Sequence, residues 1–173
     1  MPKVVVYKPK RDDDKEIVKA AKLKEHDFLK YWRVVRYWAK RKYGITNEDL
    51  EILLYLYNID LFTRGQFRKF EGILSWDRNR FNYLQEKGYI VTWREKNNPR
   101  QAKLYTLSVS AKRIVNTVYK KLLQEEPIPE NKQNNPIFKG ENYMDKVYRK
   151  AIKAMNMERE RKLREERERS VGI

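Results

Sequence analysis

The most constraining stretch of this 173-residue chain is "FLKYWRVVRYW", residues 28 to 38. Phe28, Trp32, Val35 and Trp38 recur at helical spacing, and Tyr31, Val34 and Tyr37 widen the stripe well beyond one face. A helix apolar over so wide an arc has to be covered on two sides. Its own domain supplies one cover, and another chain or the C-terminal helix the other. Phe28, Trp32, Val35 and Trp38 are therefore the candidate dimer or partner contacts. The helix is expected from about Asp14 to Lys42, with "DDD" favouring its N-terminus and Gly44 stopping it.

Downstream, Thr46 is a good N-cap for "NEDLEILLYLYN", whose core face is Leu50, Leu53, Leu54 and Tyr57. Thr63 followed by Gln66 has the spacing of a capping box, and predicts a helix of about two turns resting on Phe67 and Phe70. Ser75 is placed to cap a third helix, "WDRNRFNYLQEK", which Gly88 ends. Phe81 and Leu84 point inward there, while Arg78, Asn79, Asn82 and Gln85 lie on or near the opposite face; Trp76 reads as core.

Tyr89 to Trp93 and Leu104 to Leu107 are β-branched and aromatic runs joined by a tip containing Asn98 and Pro99, the pattern of a hairpin with a long loop. An amphipathic helix on Ile114, Val115, Val118 and Leu122 follows. Residues 124–142 hold three of the six prolines and read as a linker or extended arm. From about Tyr143 a last helix carries Met144, Val147, Tyr148, Ile152 and Met155 on one stripe. It then becomes "ERERKLREERER", a solvated helix with opposite charges four apart, such as Glu158 with Lys162 and Glu160 with Arg164.

Charge narrows the function. The net charge is +16, and a surplus of that size points to a polyanionic partner, nucleic acid before a membrane surface. Residues 1–44 hold 14 basic and 6 acidic residues and residues 89–124 hold 8 and 1, whereas 45–88 hold 6 and 7 and 125–173 hold 12 and 10. The excess is thus concentrated in two segments, one of which contains the hairpin. With no cysteine there are no disulfides, thiolate metal sites or cysteine nucleophiles, and His26 is the only histidine, so no histidine metal cluster is available. No Gly-rich phosphate loop or nucleophile signature is present, so an enzyme, a cofactor and a metal are not expected. No apolar run reaches the roughly 18 residues of a membrane span, and the N-terminal apolar run is too short for a secretory signal, which places the expected location in the cytoplasm, on the nucleoid, or in a virion if the gene is phage-borne.

A capped short helix, a tight turn, a second helix with a polar free face and then a hairpin is the order of a winged helix-turn-helix. The expected class is accordingly mainly α (α+β), with a two-stranded wing and long N- and C-terminal helices. The run from Leu84 to Val115 resembles the MarR family of winged-helix regulators. Leu84, Gly88 and Ile90 match its recognition-helix ending, Asn98 and Arg100 its Asp-x-Arg wing tip, and Leu107, Ser108 and Ala111 its Leu-Thr-x-x-Gly after the second wing strand. Asn replaces the tip Asp, Ser the Thr and Ala the Gly. The resemblance implies a homodimer built from the first and last helices, reading a pseudo-palindrome in double-stranded DNA. It also implies a family in which small-molecule effectors are common, although no residue here identifies one.

The residues expected at DNA follow from that order. Arg78, Asn79, Arg80 and Asn82 carry the side chains that read base edges in the major groove. Arg94, Lys96, Arg100 and Lys103 belong to the wing, and Thr63, Arg64, Arg68 and Lys69 lie where the preceding helix crosses phosphates. The expected organisation is a basic arm (1–13), the winged-helix domain (14–123), a linker (124–142) and the C-terminal helix (143–173). The leading expectation is a sequence-specific transcriptional regulator. The rivals are a non-specific nucleic-acid-coating protein and a winged-helix adaptor that binds protein through residues 28–38.

Overall fold

A computed structural model describes residues 29–74, 76–77 and 79–171. The basic arm, the start of the first helix at Asp14, His26, Phe28, the Ser75 cap and Arg78 lie outside the described residues. What is described is mainly helical with one small antiparallel sheet. Its elements are α1 (Leu29–Tyr43), α2 (Asn47–Tyr57), β1 (Phe62–Thr63), α3 (Arg64–Leu74), α4 (Arg80–Glu86), β2 (Ile90–Arg94), β3 (Leu104–Leu107), α5 (Val109–Leu122), a 3₁₀ turn (Pro136–Phe138) and α6 (Tyr143–Val171).

Local chemistry sets the helix boundaries. The Thr46 hydroxyl accepts from the Asp49 amide at the head of α2. At α3 the capping box is complete: Thr63 Oγ1 accepts from the Gln66 amide (3.1 Å) and Gln66 Oε1 accepts from the Thr63 amide (2.8 Å). That helix runs for 11 residues, a turn longer than expected. The gain comes at the expense of α4, which begins at Arg80 rather than after Ser75. Trp76 is the reason: its amide bonds back to the Glu71 carbonyl (3.0 Å), and its ring packs on Tyr55, Phe67 and Phe70, so it closes α3 instead of opening α4. Asp77 makes the turn into α4, its side chain accepting from the Asn79 amide and its carbonyl from the Arg80 amide. Gly88, at φ +72°, ends α4 with the paired bonds Gly88 N to Gln85 O and Tyr89 N to Leu84 O.

The sheet has three strands in the order β1-β3-β2, one more than expected. Two residues, Phe62 and Thr63, pair with Tyr105 and Leu104, too short a run to announce itself by alternation. Between β2 and β3 the register slips after Thr92, leaving Trp93 unpaired as a bulge.

Two clusters of side chains fill the interior, and α2 and α5 run through both. The first holds Tyr31, Val35, Trp38, Leu50, Val118 and Leu122 with Ile128, Ile137, Ile152 and Met155. The second holds Leu53, Leu56, Phe62, Phe67, Phe81, Leu84, Ile90 and Val115.

The first cluster alters two expectations. Val35 and Trp38 are fully enclosed and Trp32 is half-buried, all within this chain, so Val35 and Trp38 are not an open contact face for a partner. The cover on the second side of α1 is the chain's own α6, joined by stacked Tyr37 and Tyr148 rings 3.9 Å apart. Residues 124–142 make this return and are packed, not extended. Ile128 and Ile137 are enclosed, and the Asn156 amide holds Ile128 by both its backbone groups, at 3.1 and 2.8 Å. On α6 the stripe is turned from the expected one: Met144 and Val147 are exposed, and the inward positions are Asp145, Tyr148, Ile152 and Met155. Asp145 is buried because its carboxylate is answered there, by the Tyr37 hydroxyl (2.8 Å) and Arg41 Nη2 (3.0 Å). A Cβ on Gly140 would overlap that carboxyl, which is why the chain entering α6 has a glycine.

Candidate nucleic-acid interface

The basic hairpin tip, residues 95–103, is exposed almost throughout and folds back through a turn in which the Gln101 amide bonds the Asn98 carbonyl (3.1 Å). Arg94, Lys96 and Arg100 all stand in solvent. Lys103 differs, because its ammonium donates to Glu95 Oε1 (2.8 Å) across the base of the loop. That hydrogen bond holds the Lys103 ammonium above the ordinary lysine range and neutralises the tip's only acid. At such exposure the pair contributes little to stability. Its consequence is geometric, since it ties the two ends of the loop together below Arg100.

The helix before the hairpin presents a polar edge smaller than expected. Asn79, at the N-cap of α4, is exposed, as are Asn82 and Gln85 on the helix. Arg80 is not free to read a base: its Nη1 donates to Asp49 Oδ1 (2.9 Å), and Asp49 is almost wholly buried at the start of α2. A buried carboxylate without that guanidinium would be unpaired, so Arg80 serves as a brace between α2 and α4.

On α3, Arg68 and Lys69 are exposed, whereas Arg64 is half-buried with its guanidinium 3.8 Å above the Phe81 ring. That stacking fixes the side chain without an acid, and Arg64 Nη1 has no acceptor among the described residues. Arg64, Arg68, Glu71, Gly72 and Trp76 line an open cleft of about 530 Å³, so α3 brings its first two basic residues together. Lys69 does not line it. Thr63 has its amide and its hydroxyl oxygen engaged in the capping box, which leaves only the hydroxyl proton for a phosphate.

Two exposed residues beside this surface were missed by the reading of the sequence. Trp93, at the bulge, is 57% exposed with the Arg94 guanidinium 6.0 Å from its ring, and Tyr83 on α4 lies between Arg80 and Lys87 at 5.5 and 5.6 Å. A signal was available for Trp93: with Ile90 and Thr92 inward, strict alternation puts residues 91 and 93 on the outer face. Among the described residues no group of three or more acidic or histidine side chains is placed to hold a metal, and no helix is long and apolar enough to cross a membrane.

Comparison with known proteins adds no relative to this geometry: no family model matches the chain, and no curated protein or solved structure matches it at a significant level.

Proposed function

We propose that the chain is a winged-helix protein that binds double-stranded DNA, with α4 as the recognition helix and the β2–β3 hairpin as the wing. One observation carries the reading: directly after a helix whose exposed edge is Asn79, Asn82 and Gln85, a hairpin extends Arg94, Lys96 and Arg100 into solvent with its single acid already paired. The third strand, β1, supports it by tying the start of α3 to β3, so that α3, α4 and the hairpin share one core. In this reading the asparagine amides face adenine edges, and Arg64 and Arg68 meet the phosphates.

Specific regulation by occupancy is the form we favour. Selection of bound fragments from random duplex DNA should return a consensus preferred by at least about a thousandfold over random sequence. Because Val35 and Trp38 are enclosed within the chain's own first core, we expect one copy per site; a two-fold symmetric consensus would instead restore a homodimer. Replacing Lys96 and Arg100 by Ala should weaken binding to every sequence and reduce the salt slope by about 0.9 for each phosphate no longer neutralised. Unchanged affinity and slope in that variant would refute the wing assignment.

A second reading, a non-specific coating protein, is favoured by one fact: Arg80, the arginine of α4's described residues, is committed to Asp49 and leaves few base-reading groups. The fragment selection separates the two, since a coating protein would enrich no consensus.

A further inference from the structure

The first half of α6 is cationic in a way that the hairpin site does not use. Between Tyr143 and Met157 it carries Lys146, Arg149, Lys150 and Lys153 against one acid, Asp145, and Asp145 is buried on Tyr37 and Arg41. Arg149 turns back to the carbonyls of Gly140 and Asp145. Lys146, Lys150 and Lys153 are exposed, and among the described residues no carboxylate lies within ion-pair distance of them. Helical spacing puts Tyr143, Lys146, Val147 and Lys150 on one face, where Tyr143 is 78% exposed beside an open cleft of about 460 Å³.

The other half of the same helix is an internal control. From residue 158 onward acids interleave with bases, and Lys162–Glu158, Arg161–Glu165 and Arg169–Glu165 form pairs four residues apart. A solvated helix gains from such pairs and loses by like charges one turn apart, so the neutralised half needs no partner. The first half has no such pairing among the described residues, which leaves Lys146, Lys150 and Lys153 open to a polyanion. Beside it, α1 has no acid between Leu29 and Tyr43; of its six basic residues Lys30, Arg36 and Arg41 are paired with Glu158, Glu51 and Asp145, and Arg33 and Lys40 are exposed. Tyr143, Met144 and Val147 are exposed on the same half of the helix, and the lysines that flank Tyr143 and Val147 supply the fixed charge that phosphate contacts require.

We propose that the α1/α6 face is a second DNA-binding surface, on which Lys146, Lys150 and Lys153 contact the phosphates of a duplex. This face belongs to the first core and the hairpin to the second, with α2 and α5 between them, so one molecule holds two duplex segments at once. Binding by α6 stands without the wing assignment; the bridging of two segments rests on it.

The test is co-capture by the full chain: one short duplex on beads, a labelled second duplex in solution. Wild type should retain the second duplex. Lys146→Glu/Lys150→Glu/Lys153→Glu should lower co-capture at least tenfold and reduce the salt slope by about 0.9 per phosphate no longer neutralised, with an unchanged melting midpoint, while the three Lys→Arg changes should preserve it. Co-capture and slope at wild-type level in the Glu variant would overturn the proposal, as would wild-type binding to anionic vesicles but not to the duplex. The Lys96→Ala/Arg100→Ala variant keeps the two readings apart. If it binds a single duplex as wild type does and the α6 variant does not, the hairpin reading and the bridging fail together and binding by α6 stands.

Discussion

The two cores are closed by different chemistry. Around Phe67 the second core is an aromatic network: Phe81 at 5.1 Å, Trp76 at 5.4 Å and Phe62 at 6.1 Å, with Phe81 in turn 4.9 Å from Tyr105. The first core is closed by polar groups. Lys121, Asn135, Asp145 and Asn156 are all buried beside it, each with a hydrogen-bonded partner. Aromatic packing is tolerant of small shifts and unaffected by pH, whereas a buried polar closure depends on each partner and on its protonation state. The lobe proposed to hold the recognition helix is thus closed mainly by aromatic packing, with the buried Asp49–Arg80 pair as a polar brace at its edge.

Truncating each closure should expose the difference. Phe67→Ala removes the ring at the centre of the aromatic network and should cost about 3–5 kcal/mol, read as a lower midpoint in urea unfolding. A loss below about 1.5 kcal/mol would mean that the network collapses around the gap and is not the determinant of the second core. Asn156→Ala should cost about 2–4 kcal/mol, because the amide and carbonyl of Ile128 are left buried and unpaired. It should also act locally: residues 124–142 should become open to trypsin at Lys132 before the rest of the chain unfolds. Global unfolding without that early cleavage would show that the two cores are one cooperative unit.

The same contrast explains what the sequence disclosed. The second core was largely legible, because capping chemistry at Thr63, the stop at Gly88 and the β-branched and aromatic runs of β2 and β3 are local signals, and local signals agree with the fold there. Its misses had non-local causes: Trp76 packs backward onto Tyr55, and β1 exists only because β3 lies beside it. The first core was legible only as a demand, that α1 be covered on two sides. What covers it depended on Asp145 and Asn156, polar residues that a hydrophobic pattern assigns to solvent. Two prolines that argue for an extended arm, Pro129 and Pro136, border the buried Ile128 and Ile137. At the candidate interface the residue types were readable and their commitments were not: neither Arg80 on Asp49 nor Lys103 on Glu95 follows from spacing.

A smaller effect should appear in alkali. Burial, and then the hydrogen bond to Asp145, push the Tyr37 phenol up to about 12. A tyrosine whose folded value is raised adds stability below its unfolded value near 10, and that stability is lost as pH rises through the folded value. Wild type should therefore lose more stability between pH 10 and 12 than Tyr37→Phe, in which lysine titration continues but this phenol is absent. At pH 7 the same variant should be weaker by about 0.5–1.5 kcal/mol, the usual worth of one hydrogen bond. Parallel curves for the two proteins across that window would mean that Tyr37 leaves Asp145 before it ionises.

The smallest effect lies at the acid end, where α5 meets the segment that leads to α6. Glu126 accepts from both Lys120 and Lys121 at 2.9 Å, and those two hydrogen bonds bring its carboxyl down to about 2. For a carboxyl with a depressed folded value, the contribution is fully present above the unfolded value near 4.3 and disappears as pH falls toward 2. Glu126→Gln should accordingly narrow the gap to wild type as the pH is lowered through that window. Salt should narrow it as well, because the carboxyl is solvent-exposed and the pair is screened. Lys121 is the partner to watch: its ammonium is nearly buried, 6.0 Å from the Trp38 ring, so part of what Glu126 provides is a counter-charge for the first core. If that part matters, Lys121→Met in the Glu126→Gln background should recover stability, since an apolar side chain of similar reach removes the unpaired charge together with its partner. No recovery would mean that Lys121 reaches water once Glu126 is gone, and that the polar closure of the first core ends at Asn156.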